Sequence, residues 1–178
     1  MALKGVIRTD NVKATRTGGI RSAKFYNGSN AQAIIENGNL VVVDVLLDAS
    51  ATREVFKATI PSAVTNLNVG IVASPELIYD ESTHKSLAEY ENVAGQVITV
   101  LMLAKGDILS ISDECIVPIN DALDLPEVGS YVVVTASSTK WTELASLGGT
   151  ELTYGKIIAR ELYKKDTYLN VVEILAAT

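Results

Sequence analysis

The stretch Ala33–Leu47, AIIENGNLVVVDVLL, decides how the rest of the chain reads. Asn37-Gly38 lies between two apolar arms. That arrangement predicts a β-hairpin with a type I′ turn, since both central residues of such a turn need positive φ. The second arm, Leu40–Leu47, is apolar except for Asp44. A strand of that kind has no solvent face, so both of its sides must be covered, by the fold's own core or by another chain. The run is short enough for a buried helical segment, but Val41-Val42-Val43 and the adjoining Asn-Gly favour strand. None of its residues is reactive, which makes the organising element architectural.

Working outward, Thr52–Ile60 reads as a strand ended by Pro61, and Val69–Ala73 as a short buried strand. Leu77–Tyr79 is another extended piece, and Ser86–Tyr90 has room for one or two helical turns at most. Val97–Ala104 and Ile108–Ile111, joined by Lys105-Gly106-Asp107, predict a second hairpin. Cys115–Ile119, Tyr131–Thr135, Leu152–Tyr163 and Tyr168–Leu175 complete the strands, and Ser137–Gly149 is a polar excursion around Trp141. Many short strands with Gly and Pro turns indicate a mainly β fold, an antiparallel sandwich or barrel. Residues 1–30, rich in Gly, Thr, Ser and Asn and without a period, read as an extended N-terminal arm. Residues 31–178 form the β-rich body, divisible into 31–120 and 121–178.

Charge sharpens that division. Residues 1–24 carry Lys4, Arg8, Lys13, Arg16, Arg21 and Lys24 against Asp10 alone, a balance of +5, while the remainder carries −11, for a net −6. A basic arm on an acidic body suits attachment to an acidic partner surface, and these six residues are the candidate partner-binding set. The charges are spread out and no aromatic precedes Phe25-Tyr26, which disfavours a nucleic-acid-binding arm. The arm is expected to be separable from the body. With 48% hydrophobic residues the chain can bury a real core, and no run has signal-peptide or transmembrane character. The expectation is a soluble protein made in a reducing cytoplasm, with no membrane partner.

The acidic residues invite an enzyme reading. Asp44 and Asp48 share a strand face if the strand persists, and Asp113-Glu114 and Asp121/Asp124 add further carboxylates. None follows a calcium-loop spacing. The single histidine, His84, lies in the polar run ESTHKS, and the single cysteine, Cys115, has acidic neighbours that raise a thiol's pKa. No phosphate loop, dinucleotide fingerprint, nucleophile elbow or zinc-protease motif is present. Trp141 suits either a partner anchor or a core position. The expectation is a protein with no catalytic centre, cofactor or metal.

Five segments carry a resemblance. They are Asn37–Val43 (NGNLVVV), Arg53–Thr59 (REVFKAT), Val72–Glu81 (VASPELIYDE), Asn92–Gly95 (NVAG) and Lys105–Ser112 (KGDILSIS). In this order the chain resembles a group of small structural proteins encoded among the head genes of tailed bacteriophages, whose members share an NGNLVVV hairpin and REVYKAT-, VASPEVMYDE-, NEAG- and KGDIFSVT-like segments. The likeness spans about residues 36–112, under half of the chain, and its motifs are structural. It implies a virion protein that decorates the capsid exterior, binds the lattice of the major capsid protein and stabilises it, made in the host bacterial cytoplasm. A homo-oligomer is expected, a trimer matched to threefold points of a capsid. The rival readings are a tail or head–tail connector protein and a carboxylate-site enzyme.

Overall fold

Leu40, Val41, Val42 and Val43 are all buried, and the period of two along a strand explains how. Leu40 and Val42 point into one apolar cluster, Val41 and Val43 into another. The computed structural model describes residues 4–8, 19–47, 54–76, 89–119, 125–164 and 167–177. In chain order its strands are β1 (Ile7–Arg8), β2 (Ile20–Tyr26), β3 (Leu40–Leu46), β4 (Val55–Thr59), β5 (Val69–Val72) and β6 (Ile98–Met102), then β7 (Ile108–Ser112), β8 (Ile116–Val117), β9 (Tyr131–Val133), β10 (Trp141–Leu144), β11 (Tyr154–Lys164) and β12 (Thr167–Ala176). Strands β2-β4-β3-β5-β6 close into a five-stranded barrel; β1-β7-β12-β11-β9-β10-β8 make a seven-stranded sheet. The fold is mainly β and contains a barrel, as the strand pattern indicates.

Three barrel strands are two-faced. In β3, β5 and β6 one set of side chains (Val41, Val43, Val72, Ile98, Val100) fills the barrel with Ala23, Phe25 and Ala58. The alternate set (Leu40, Val42, Val69, Ile71, Leu101) packs outward against Leu109, Ile111, Val132, Trp141, Ile157, Val172 and Ile174 of the seven-stranded sheet. Strands β2 and β4 have one apolar face only: Ala23, Phe25 and Ala58 are buried, whereas Lys24, Tyr26, Lys57 and Thr59 are half-exposed. Trp141 is fully buried in the shared core, so it is a core residue and not a partner anchor.

The structure corrects several expectations. Asn37-Gly38 does turn, but only Gly38 has positive φ (82°), and the segment before it does not pair with β3. Both edges of β3 are taken by β4 and β5, and Ile35 instead bridges Asn92. Gly38 packs against the Cys115 sulfur so closely that a side chain would collide. The two-sided cover of β3 ends at Val43; past the irregularity that follows, Val45 and Leu46 are exposed.

The second expected hairpin is a corner. β6 belongs to the barrel and β7 to the sheet. Asp107 caps the turn by accepting the Ala104 N–H at 2.8 Å, and the backbones of Gly106 and Asp107 are bonded to Ile174 of β12. The chain passes from barrel to sheet at residues 104–107. The extended pieces at 77–79, most of the possible helical turn at 86–90 and the loop 120–124 lie outside the described residues.

The basic arm is corrected as well. Residues 20–26 are a wall strand of the barrel, parallel to β4 on one side and antiparallel to β6 on the other. Ala23 and Phe25 supply the apolar period that the surrounding Arg, Ser and Lys obscure. Deleting residues 1–24 removes most of β2 and opens the barrel, so the truncated chain is expected to lose its cooperative thermal transition. Circular-dichroism melting checks this; an unchanged transition would show that β2 is dispensable.

Candidate functional site

The two longest of the described strands build an exposed feature. Strand β11 pairs with β12 from Tyr154 to Lys164, but β9 pairs only with Tyr154–Lys156 and β7 reaches β12 only at Leu169–Glu173. Backbone bonds from Ile157 to Gly129 and Ser130 close the β9 side. Beyond them β11 has no strand on its outer edge among the described residues, and residues 158–164 with 167–168 project as a two-stranded ribbon. Leu162 is 66% exposed, and Ile158, Tyr163 and Tyr168 are exposed with it. Leu162 and Tyr168 face each other across the ribbon. An open, apolar strand edge is a template for pairing with another chain.

The base of the ribbon is fixed by polar contacts. Arg160 and Asn170 are cross-strand partners, and both bind Asp113: the Arg160 guanidinium donates to Asp113 Oδ2 at 2.5 Å and Asn170 Nδ2 to Oδ1 at 2.7 Å. The Arg160 guanidinium also stacks 4.6 Å from the Tyr168 ring centroid. Asp113, read in sequence as a candidate catalytic carboxylate, is therefore an anchor joining the turn after β7 to the ribbon.

A second polar cluster sits at the top of the barrel. Buried Asn37 donates to the Ser74 carbonyl at 3.0 Å and accepts from the Ser74 N–H and from Asn92 Nδ2. Asn92 Nδ2 also reaches the Ile35 carbonyl. Loss of Asn37 would strand buried donors and acceptors at about 1–3 kcal/mol each. Cys115 lies beneath this cluster with its sulfur 3.6 Å from the Asn37 carbonyl oxygen. Burial pushes its thiol up to about 12, offset in part by Ser112.

Of the candidate partner-binding residues, the four described ones lie at two places, Lys4 and Arg8 at and before β1 and Arg21 and Lys24 on β2. Lys4 is ion-paired with Glu36 and Glu91, and side-chain bonds to Glu91 and then Glu36 raise its pKa. Arg8 lies on β1 at the edge of the sheet. Arg21 stacks on Phe56, and Lys24 is half-buried on β2. Lys13 and Arg16 lie outside the described residues, as do Asp48, His84, Asp121 and Asp124. Asp44 is exposed and accepts from Asn68. Among the described residues no group of three or more His, Cys, Asp or Glu is placed to hold a metal, and no helix is long and apolar enough to cross a membrane.

Sequence reading missed Glu143. It is 2% exposed and its carboxylate accepts the N–H groups of Ile119 and Glu127, tying both ends of the acidic loop to β10. The alternation Trp141-Thr142-Glu143 carried the signal, because Trp and Glu on one strand face place a carboxylate beside the core.

Two outcomes follow from these contacts. Asp113→Ala leaves Arg160 without its partner, and in a denaturation cycle with Arg160→Ala the pair is expected to couple by about 0.5–3 kcal/mol. Additive losses would mean the anchor is only incidental. For Cys115, the unfolded thiol releases its proton from about 9.0 and the folded one only near about 12. Between these values the native state binds more protons, so stability falls as pH rises, by up to about 1.4 kcal/mol per unit. Urea melts from pH 9 upward should show a shallower decline for Cys115→Ser than for wild type. Equal slopes would contradict this.

Compared with known proteins, the chain finds no matching family model, no matching curated protein and no matching solved structure.

Proposed function

We propose that this protein is a virion structural protein that decorates the exterior of a bacteriophage capsid, binding the lattice of the major capsid protein and stabilising it. The observation that supports the reading is that three of the five segments bearing the head-protein resemblance meet at one buried side chain, that of Asn37. Asn37–Val43 supplies the buried Asn37 and the two-faced half of β3, and Arg53–Thr59 holds β4 beside it. Val72–Glu81 supplies Ser74 and Glu76, and Asn92–Gly95 supplies Asn92; all three bond to the Asn37 side chain. Lys105–Ser112 contains most of the corner and all of β7.

The ribbon offers this reading a contact surface in addition to the basic residues Lys4, Arg8, Lys13, Arg16, Arg21 and Lys24. Leu162, Tyr163 and Tyr168 are exposed on a ribbon whose base is held by Arg160, Asp113 and Asn170, so docking them immobilises few new groups. Many copies on one lattice, each contributing a modest contact, add up through multivalency. Ligation of the assembled state alone then raises the cost of pulling capsid subunits apart. A trimeric arrangement at threefold lattice points suits the same logic, and the mechanism calls on no cofactor.

Purified heads lacking the protein provide the test. Wild-type protein should bind them to saturation and raise their resistance to heat. Leu162→Glu should bind at least tenfold more weakly with an unchanged melting temperature, given that a central apolar anchor is worth about 2 kcal/mol or more. Binding to tails alone, or growth of rings or tubes without capsid protein, would overturn the reading in favour of a tail or connector role.

A further inference from the structure

Residues 4–8 are held the way a receptor holds a peptide, with a different property read at each position. The Lys4 ammonium sits between the carboxylates of Glu36 and Glu91, at 3.2 and 3.0 Å. The Gly5 N–H donates to Glu36 Oε2, and the Gly5 α-carbon lies so close to the Asn37 carbonyl oxygen and the Cys115 sulfur that no side chain fits there. The Val6 N–H donates to Ser112 Oγ, its carbonyl accepts the Ser112 N–H, and its side chain packs on Leu169. Ile7 and Arg8 then pair with Ile111 and Ser110. A cation, a bare α-carbon, a small apolar side chain and a β-ladder together make a selective site.

Nothing in that site depends on the segment being joined to the same chain. Its walls come from residues 36–37, 91, 110–115 and 169, all distant in sequence from residues 4–8. β1 is the terminal strand of the sheet, so it can leave without breaking a ladder on its other side. The chain between Arg8 and Gly19 holds the ten residues 9–18, which when extended span up to about 36 Å. That exceeds the radius of gyration of about 16 Å expected for a chain of this length, so a neighbouring copy lies within reach.

We propose that this seat accepts residues 4–8 of a second copy, so that copies are linked by exchanged β1 strands. Exchange replaces each contact by an identical one, and the balance between closed and linked forms is set by concentration and by the connecting chain. The occupant is identified by the chemistry of the seat, a Lys-Gly-Val-Ile-Arg strand, which this chain itself carries. The inference stands whether or not the assembled protein serves a capsid.

Disulfide trapping in the full-length chain tests it. Arg8 and Ser110 face each other across antiparallel strands, where α-carbons are about 4.5–5.5 Å apart, within the range a disulfide bridges. The variant Arg8→Cys/Ser110→Cys, with Cys115→Ser to remove the native thiol, is oxidised over a series of protein concentrations and run on non-reducing gels. The expected result is dimers and larger species that increase with concentration and collapse on reduction. If that variant folds poorly, Ile7→Cys/Ile111→Cys on the neighbouring rung gives the same readout. Adding Gly5→Val should abolish the interchain products, because its side chain collides with the Asn37 carbonyl oxygen, which the Cys115→Ser background leaves in place. Products that run as monomer at every concentration would overturn the proposal, whether the thiols join within one chain or stay reduced. So would interchain links that persist with Gly5→Val.

Discussion

The wall formed by β3, β5 and β6 is the constraint on which the rest of the structure depends. A strand whose alternate residues are both apolar must have an apolar neighbour on each side, and here one neighbour is the barrel interior and the other the seven-stranded sheet. Leu40 and Val41 are adjacent in sequence and belong to different cores. A leucine buried to this degree typically loses about 2–5 kcal/mol on truncation to alanine. Because the wall is shared, such a loss is felt by both sheets. The Asn37 cluster and the Ala104–Asp107 corner are polar fittings at its ends, and they bond backbone groups where the chain leaves the wall.

Much of this was legible in the sequence, for a definite reason. β3 up to Val43, β5 and β6 are almost continuously apolar because they are covered twice. That is why Leu40–Val43, Val69–Val72 and Ile98–Met102 stand out, and why the mainly β architecture with a barrel could be read from strand spacing and turn residues. The less visible part was connectivity. Asn37-Gly38 and Lys105-Gly106-Asp107 are both good hairpin signals, yet turn chemistry describes a local reversal and does not say which strands will pair. In the first case Ile35 finds Asn92, and in the second Ile174 claims the backbone of the turn. β2 was hidden because its outward residues Ser22, Lys24 and Tyr26 face solvent and Arg21 stacks on Phe56, so charge outweighed the short apolar period of Ala23 and Phe25.

The contact features were the least legible, since each depends on residues far apart in sequence. Arg160 reads as one more charge on a strand until Asp113, brought in by the turn after β7, is placed against it. Lys4 reads as part of a basic arm until Glu36 and Glu91 converge on it. Each pair ties a cation to carboxylates of the body, and Lys4 is one of the residues that charge alone assigns to a partner. Two further features are an exposed apolar ribbon edge and a strand-shaped seat filled by the chain's own N-terminal residues. Each is suited to joining chains, and both are mounted on the same doubly buried wall.

The most direct test of that wall is amide hydrogen exchange followed as denaturant is added. If barrel and sheet share a core, slow amides of the barrel (Val43, Val72, Val100) and of the sheet (Leu109, Val132, Val172) should all exchange through one global opening, with the same free energy and the same denaturant dependence. Barrel amides that open earlier, with a smaller dependence on denaturant and with the sheet still protected, would show two separate units and contradict the account.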